Sequence, residues 1–410
     1  MRATTLLTKL LGIQNTVVGA FEVLDGELVL HVHPTWRSPR CSRCGRKCDG
    51  QYDSREDRDW RHLDFGGVRV KLRYDLRRVD CRKCHVVVEH VPWCLDVDVR
   101  FTTDFEEQVA YHAQRTDRTA VEKLMGIAWR TVGRIVERVV KRLRPEDPLA
   151  DLWAIGIDEL SYRKQHHYIT LVTNHDTGRI VWGHEGKNAE SLVAFFDALG
   201  EERCKLIKVV TMDMSQAFIS AVRLKCPSAQ IVFDRFHVQK LVGDAVDELR
   251  RQEWRRLGGT PEGDKIKKLR WVLLKNQRNL TVKEQGRLKT LEADNRSLYQ
   301  AYLLKESLSD VLGGLQINVM ERRLREWVDM VTQSGLAPLL KAAKTIAIHL
   351  NDIVAYARHH LSNGVVEGLN NKARLLTRRA FGFHSAEAVL AMIMLCCTGL
   401  DIEPVKKALK

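Results

Sequence analysis

No apolar run in this chain is long enough to cross a bilayer: the longest, Ala388 to Leu400, falls short of a span and contains the polar Thr398. The N-terminal residues carry Arg2 and Lys9 but no signal-peptide cleavage pattern, so a cytoplasmic protein with no membrane partner is expected. Internal repeats and low-complexity segments are also missing, which argues against a solenoid or a disordered tail. Acid is in short supply, with 52 Asp and Glu against 66 Lys and Arg. The resulting charge of +14, with pI near 9.3, favours a polyanionic partner, because each neutralised phosphate releases counterions. Charge alone leaves RNA, DNA and anionic membrane open. The 410 residues, 44% apolar, suffice for two or three domains with sizeable cores. In a reducing compartment the ten cysteines read as metal ligands or buried thiols rather than as disulfides.

The pattern along the chain predicts a multidomain protein of α+β and α/β parts. Residues 1 to about 35 alternate apolar and polar positions around Leu24-Asp25-Gly26-Glu27, as a hairpin does, and lead into the first cysteine pair; this N-terminal domain is placed at 1–100. Helical spacing takes over from Asp104 to Arg144 and stops at Arg144-Pro145-Glu146-Asp147-Pro148, a linker, giving a small helical domain at 101–148. Residues 149–238 alternate strand-like runs (153–158, 168–173, 179–183, 206–213, 230–234) with helical runs near 188–199 and after Asp213, an α/β pattern. Residues 239–345, rich in Leu, Lys, Arg and Glu, read as an all-helical insertion, and 346–410 as the mostly helical remainder of the α/β core. Trp254, Trp271 and Trp327 in the insertion are available for an interface or for packing.

Cys41-Ser42-Arg43-Cys44-Gly45 and Cys81-Arg82-Lys83-Cys84 are two C-x-x-C pairs separated by 36 residues, with a strand-like Val68 to Tyr74 between them. Two such knuckles offer four thiolates at tetrahedral reach, so one structural zinc held by Cys41, Cys44, Cys81 and Cys84 is expected, with Cys48 and Cys94 as alternatives for the fourth ligand. A closed thiolate shell has no open position for water and is structural; its task would be to present Arg43, Arg46, Lys47, Arg82 and Lys83 to phosphates. Asp117 to Ile135 has the outline of two short helices about a turn at Gly126-Ile127. The second would expose Trp129, Arg130, Arg134 and Arg138 to a major groove while Val132, Ile135 and Val136 pack inward.

Three acids stand out. Asp158 and Asp213 each close an apolar, β-branched run that reads as a buried strand, whereas Glu367 lies in a polar, basic helix. Strand-end carboxylates joined by one on a helix can share two magnesium ions, for which manganese can substitute, roughly 3.5 to 4 Å apart, one activating an attacking oxygen and one stabilising a leaving oxygen. Asp234 and His237, after another strand, read either as accessory members of that site or as a turn-stabilising pair. Asn363, Asn370 and Asn371 are placed to orient phosphate or cap the Glu367 helix, and Lys372, Arg374, Arg378 and Arg379 to grip the backbone.

Ile157-Asp158-Glu159, Met212 to Phe218, Phe233-Asp234-Arg235-Phe236-His237-Val238, Ser362 to Gly364 and Glu367-Gly368-Leu369-Asn370-Asn371-Lys372 resemble the blocks of the DDE insertion-sequence transposases of the ISL3 family. The likeness extends to the paired cysteines, the helix-turn-helix and Arg379 to Phe383, and so covers most of the chain. It implies a ribonuclease H-like core, interrupted by the helical insertion, with Asp158, Asp213 and Glu367 as the metal-binding triad. Ala373, Leu375 and Leu376 depart from the more basic run expected there. The implied activity is transposition: a homodimer on double-stranded DNA binds terminal inverted repeats, cuts the ends and joins them to target DNA. Two other readings use the same features: a zinc-dependent DNA-binding regulator with an inactive core, and a cellular ribonuclease H-like nuclease.

Overall fold

The computed structural model describes residues 2–96, 98–163, 167–314, 316–359, 361, 364–380 and 382–405. Two compact units emerge from it, one formed by the described parts of 1–145 and 391–410, the other by those of 146–390.

The first unit opens on a helix, α1 (Ala3–Leu11), where only hairpin alternation was expected. Gly12, at φ 59°, ends it in the left-handed region and donates its N–H to the Thr8 carbonyl. The hairpin itself follows, β1 (Thr16–Leu24) and β2 (Glu27–Pro34). The long strands β3 (Gln51–Phe65) and β4 (Val68–Cys81) and the short β5 (His85–Val88) complete a sheet of order β1-β2-β4-β3, with β5 on β4. Its core gathers Leu11, Leu30, Trp60, Leu72 and Trp93. Glu89, with no exposed surface, accepts both forks of the Arg77 guanidinium at 2.8 and 2.7 Å.

Three helices follow: α2 (Thr103–Arg115), α3 (Arg118–Met125) and α4 (Trp129–Leu143). Asp117 caps α3 by accepting from the Ala120 N–H, and Gly126 ends it at φ 61°, so the turn falls where the sequence put it. Val132, Ile135 and Val136 are buried as expected. Arg138 is not the free outward group it was taken for: with Arg142 it pairs with the buried Glu106 of α2, at 2.5 and 3.0 Å. Residues beyond Ala391 also belong to this unit, since Gln114 donates to the carbonyls of Leu395 and Leu400.

The second unit is built on a five-stranded mixed sheet, order β10-β9-β6-β7-β8. Strands β6 (Ala154–Arg163), β7 (His167–Asn174) and β8 (Arg179–Glu185) form an antiparallel meander. After α5 (Ala189–Leu199) and the single turn α6 (Glu201–Cys204), β9 (Val209–Met212) returns parallel to β6; after α7 (Gln216–Lys225), β10 (Gln230–Phe233) adds parallel to β9. The long α8 (Arg235–Arg256) starts a helical stretch: α9 (Pro261–Lys267), α10 (Arg270–Leu274), α11 (Val282–Asp294), α12 (Arg296–Leu312), α13 (Ile317–Ser334), α14 (Ala337–Ile348) and α15 (Leu350–His359). Then comes α16 (Gly364–Arg379), and the unit boundary falls within α17 (Ala386–Cys397). Trp327 is a core residue whose indole donates to the Leu304 carbonyl, whereas Trp271 is exposed.

Period-two alternation sorts the sheet residues onto two faces. Ile155, Ile157, Val210, Met212, Ile231 and Phe233 join Phe195, Phe196, Phe218 and the α8–α15 side chains in one core. Ala154, Val209 and Val232 face the other way, against Ala355. On that second face α16 comes unusually close: a Cβ on Gly156 would stand 2.4 Å from Cγ2 of Val366. Glycine is therefore a packing requirement in mid-strand. Gly156→Ala is expected to cost about 1–3 kcal/mol by overpacking, read from urea unfolding. The cost should shrink in a Val366→Ala background; equal costs in both backgrounds would locate the strain elsewhere.

Candidate metal and nucleic-acid sites

The cysteine knuckles converge as their spacing requires. One ligand atom from each of Cys41, Cys44, Cys81 and Cys84 lies within 4.8 Å of the other three, and Sγ of Cys44 is 3.6 Å from that of Cys81. Gly45, at φ 71°, makes the first turn, its N–H donating to the Cys41 carbonyl. Backbone N–H groups of Lys83 and Cys84 pull the Cys81 thiol down, while burial and the neighbouring sulfurs of Cys44 and Cys41 push the Cys84 thiol up. Four converging sulfurs suit a structural zinc. Cys48 is buried beside them, its Sγ directed at the Arg46 carbonyl. Cys94 is remote in kind: it packs with Trp60 and Trp93, and burial pushes its thiol up to about 12. Arg43, Arg46, Lys47, Arg82 and Lys83 are all exposed, Arg82 paired with Asp49.

On the helix-turn-helix, Arg130 and Arg134 are exposed along α4. Trp129 is half-buried, with the Arg118 guanidinium 4.9 Å over its ring. That stack holds the start of α4 against α3.

In the second unit the sheet registers Gly156 with Thr211 and Thr211 with Val232. Asp158, Asp213 and Asp234 each stand two residues beyond that row; Asp213 and Asp234 follow the last residues of β9 and β10, whereas Asp158, expected to close its strand, lies midway along β6, which pairs with β7 as far as Arg163. Asp158 and Asp213 line one cavity of about 620 Å³ with Glu159, Tyr162, Tyr168, His237, Lys240, Arg374 and Arg378. Burial pushes the Asp158 carboxyl up, and Asp213 adds repulsion; the Glu159 N–H, His237 and Arg374 pull it back. Glu159 is raised the same way, by burial and then by Asp213. A raised carboxyl pKa means that ionisation costs more folded than unfolded, so stability falls as pH rises through this range. Crowded carboxylates of this kind hold repulsion that a divalent cation relieves, and their oxygen donors suit a hard cation.

Asp234 caps α8 by accepting from the Phe236 N–H, and its other oxygen meets Nδ1 of His237 at 3.2 Å. That contact raises the His237 pKa, with Asp213 and Asp158 contributing. The pair stabilises the turn, and His237 lines the cavity of Asp158 and Asp213 while Asp234 lines the neighbouring one.

Helix α16 distributes its residues unevenly. Val366, Asn370, Ala373 and Leu376 form its buried face. Asn370, expected among the DNA contacts, is only 2% exposed and donates its side-chain amide to Oδ2 of Asp158. Glu367 is exposed and lines a second cavity, about 1020 Å³, with Asp234, Phe236, Arg278, Asp310 and Tyr356. Among the described residues, the cysteine cluster is the sole group of metal-type ligands within mutual reach, so Glu367 does not close on Asp158 and Asp213 here. Asn371, Lys372 and Arg374 are exposed and Arg379 half-buried, while Asn363 lies outside the described residues. Glu159, Lys240 and Tyr168 were not anticipated as neighbours of the acids. Glu159 is adjacent to Asp158 and could have been suspected; the other two are joined to it by the fold alone.

An acid-bearing α/β unit behind a zinc ribbon and a helix-turn-helix is the make-up of a DNA transposase, and comparison with known families bears this out. Residues 155–393 match the transposase model of ISL3, 37–84 the zinc-finger of transposase IS204/IS1001/IS1096/IS1165, and 89–140 the helix-turn-helix domain of transposase family ISL3. The chain belongs to the ISL3 family of DDE transposases. It is 36% identical to the transposase for insertion sequence element IS1557 of Mycobacterium tuberculosis, over 97% of this chain and 96% of that protein. It is 28% identical to the transposase for insertion sequence element IS1001 of Bordetella parapertussis, over 88% and 89%. Among the described residues no helix is long and apolar enough to cross a membrane.

Purified protein is expected to hold one zinc per chain by metal analysis. Cys41→Ser or Cys84→Ser should lose it and loosen the first unit, whereas Cys48→Ser and Cys94→Ser should retain it. Loss of zinc from Cys48→Ser would put Cys48 in the ligand shell.

Proposed function

We propose that this protein binds the terminal inverted repeats of an insertion sequence, cleaves the ends and joins them to target DNA by phosphoryl transfer in a ribonuclease H-like core. The observation that carries this reading is the meeting of Asp158, midway along β6, with Asp213, just past the end of the parallel neighbour β9, in one cavity rimmed by Lys240, Arg374 and Arg378. A three-strand meander extended by two parallel strands beside its first strand supports the core assignment, and the unbroken helical stretch from α8 to α15 supports an insertion between Asp234 and Glu367.

Asp158 and Asp213 are the metal-binding pair, with Glu367 as third member. Glu367 stands three residues before Asn370 on α16, so its place on the helix is less than one turn, about 5.4 Å, from the point where that helix touches Asp158. Two magnesium ions, or manganese in their place, would supply an activated oxygen nucleophile and stabilisation of the leaving oxygen. The chain does the rest. Lys240, Arg374 and Arg378 draw the phosphodiester backbone to the acids and fix its register. His237, whose pKa the Asp234 contact raises, stands beside the acids as an accessory residue. Lys372 and Arg379 extend the basic path along α16. Arg130, Arg134 and Trp129 on α4, with Arg43, Arg46, Lys47, Arg82 and Lys83 around the ribbon, bind the ends. Two ends must be held together, so the working form is a homodimer on DNA.

Strand-transfer assays with labelled end DNA and supercoiled target test this reading. Asp158→Asn and Asp213→Asn should each lower cleavage and joining roughly a thousandfold or more, about 4 kcal/mol of transition-state stabilisation. End binding should persist, and the melting temperature without metal should hold or rise as repulsion is removed. Wild-type joining by either variant would sink the assignment. Arg130→Ala and Arg134→Ala should weaken end binding and reduce the slope of log affinity against log salt by about 1 each.

A further inference from the structure

We propose that Asn370 is a positioning residue for the metal site: its side-chain amide fixes the Asp158 carboxylate in the orientation that receives a divalent cation. This rests on the reading of Asp158 and Asp213 as metal ligands. Asn370 occupies the apolar face of α16, between Val366 and Ala373, and is 2% exposed. A buried amide costs free energy unless it is hydrogen-bonded, and packing alone would favour an apolar side chain there. It donates to Oδ2 of Asp158, while Oδ1 of that carboxylate accepts the Glu159 N–H at 2.6 Å. Each oxygen thus has one fixed donor, and a carboxylate has about four acceptor positions, so one on each oxygen is left for another partner. With both oxygens tethered, the carboxylate cannot turn about its terminal torsion.

The chemical character of the residue matters as much as its place. A lysine or arginine here would tether Asp158 but neutralise it, and an aspartate would add a charge to an already crowded pair. An amide donates a hydrogen bond and carries no charge, so Asp158 keeps its full attraction for a cation. The short side chain reaches because Gly156 has no Cβ: the helix settles on β6 at Val366, and Asn370, one turn further, arrives beside Asp158. Helix position and carboxylate orientation are therefore set by one contact.

The test uses full-length protein, with manganese binding followed by electron paramagnetic resonance of the free ion and end-DNA binding followed by fluorescence anisotropy in buffer with no added divalent cation and no chelator. Asn370→Ala should raise the manganese dissociation constant about 10–100-fold, the usual effect of removing a group that orients a ligand. Its DNA affinity should stay within about twofold, and excess manganese should restore much of the lost cleavage. Asn370→Ser, whose hydroxyl is too short to reach Asp158, should behave alike and serves if the alanine variant fails to fold. Unchanged manganese affinity with weakened DNA binding would make Asn370 a DNA contact and overturn the proposal. A wild-type protein that binds manganese no better than Asp158→Asn would overturn the metal site itself, and this inference with it.

Discussion

Val366 rests on the bare backbone of Gly156, and the geometry of the acidic site follows from that contact. A strand offers a helix a surface set by its side chains; removing one Cβ lowers the surface locally and lets the helix seat deeper. The seat fixes α16 along β6, which sets where Asn370 meets Asp158 and which side of the helix Glu367 takes. Asp158 is two residues from Gly156 on the same strand face, so the low point and the acid cannot drift apart. The α8–α15 core on the opposite face keeps the sheet from yielding when the helix presses on it.

Much of this was legible in sequence because short-range patterns wrote it. The β-branched run before Asp213 gave β9 and the one before Asp158 the first half of β6, since buried strands carry nearly continuous apolar residues; the polar continuation of β6 to Arg163 was not marked in that way. The cysteine pairs gave the cluster because thiolate spacing leaves few geometries. What escaped depends on three dimensions. Gly156 read as one more small residue in an apolar run, because nothing local says that a helix 210 residues later lands on it. Asn370 and Asn371 are indistinguishable in a string, yet one is buried against Asp158 and the other exposed. Helix α1 was missed because its Thr-rich, Leu-rich stretch satisfies strand and helix patterns alike. The same limit applies to Glu367, whose helix was evident but whose facing side was not.

The cation count also reads differently once folded. Arg77, Arg138 and Arg142 face inward onto Glu89 and Glu106, two carboxylates with almost no exposed surface. Removing one partner from such a pair leaves an uncompensated buried charge, so these arginines are committed to architecture. Some of the scarce acids thus act as internal anchors for arginines rather than as surface charge. Counting Lys and Arg in helix α4 overstates what it offers a phosphate, whereas Arg130 and Arg134 remain available.

The hydrophobic core of the second unit runs without a break from the sheet residues Ile155, Val210 and Ile231 through α8 to Trp327, Leu339 and Ile353. The helical stretch is accordingly no appendage clipped onto a finished sheet; it supplies much of the wall that keeps the sheet dry. A break between α8 and α15 would strip packing from the core face of the acid-bearing strands, so a chain cut short there would lose the sheet along with the helices.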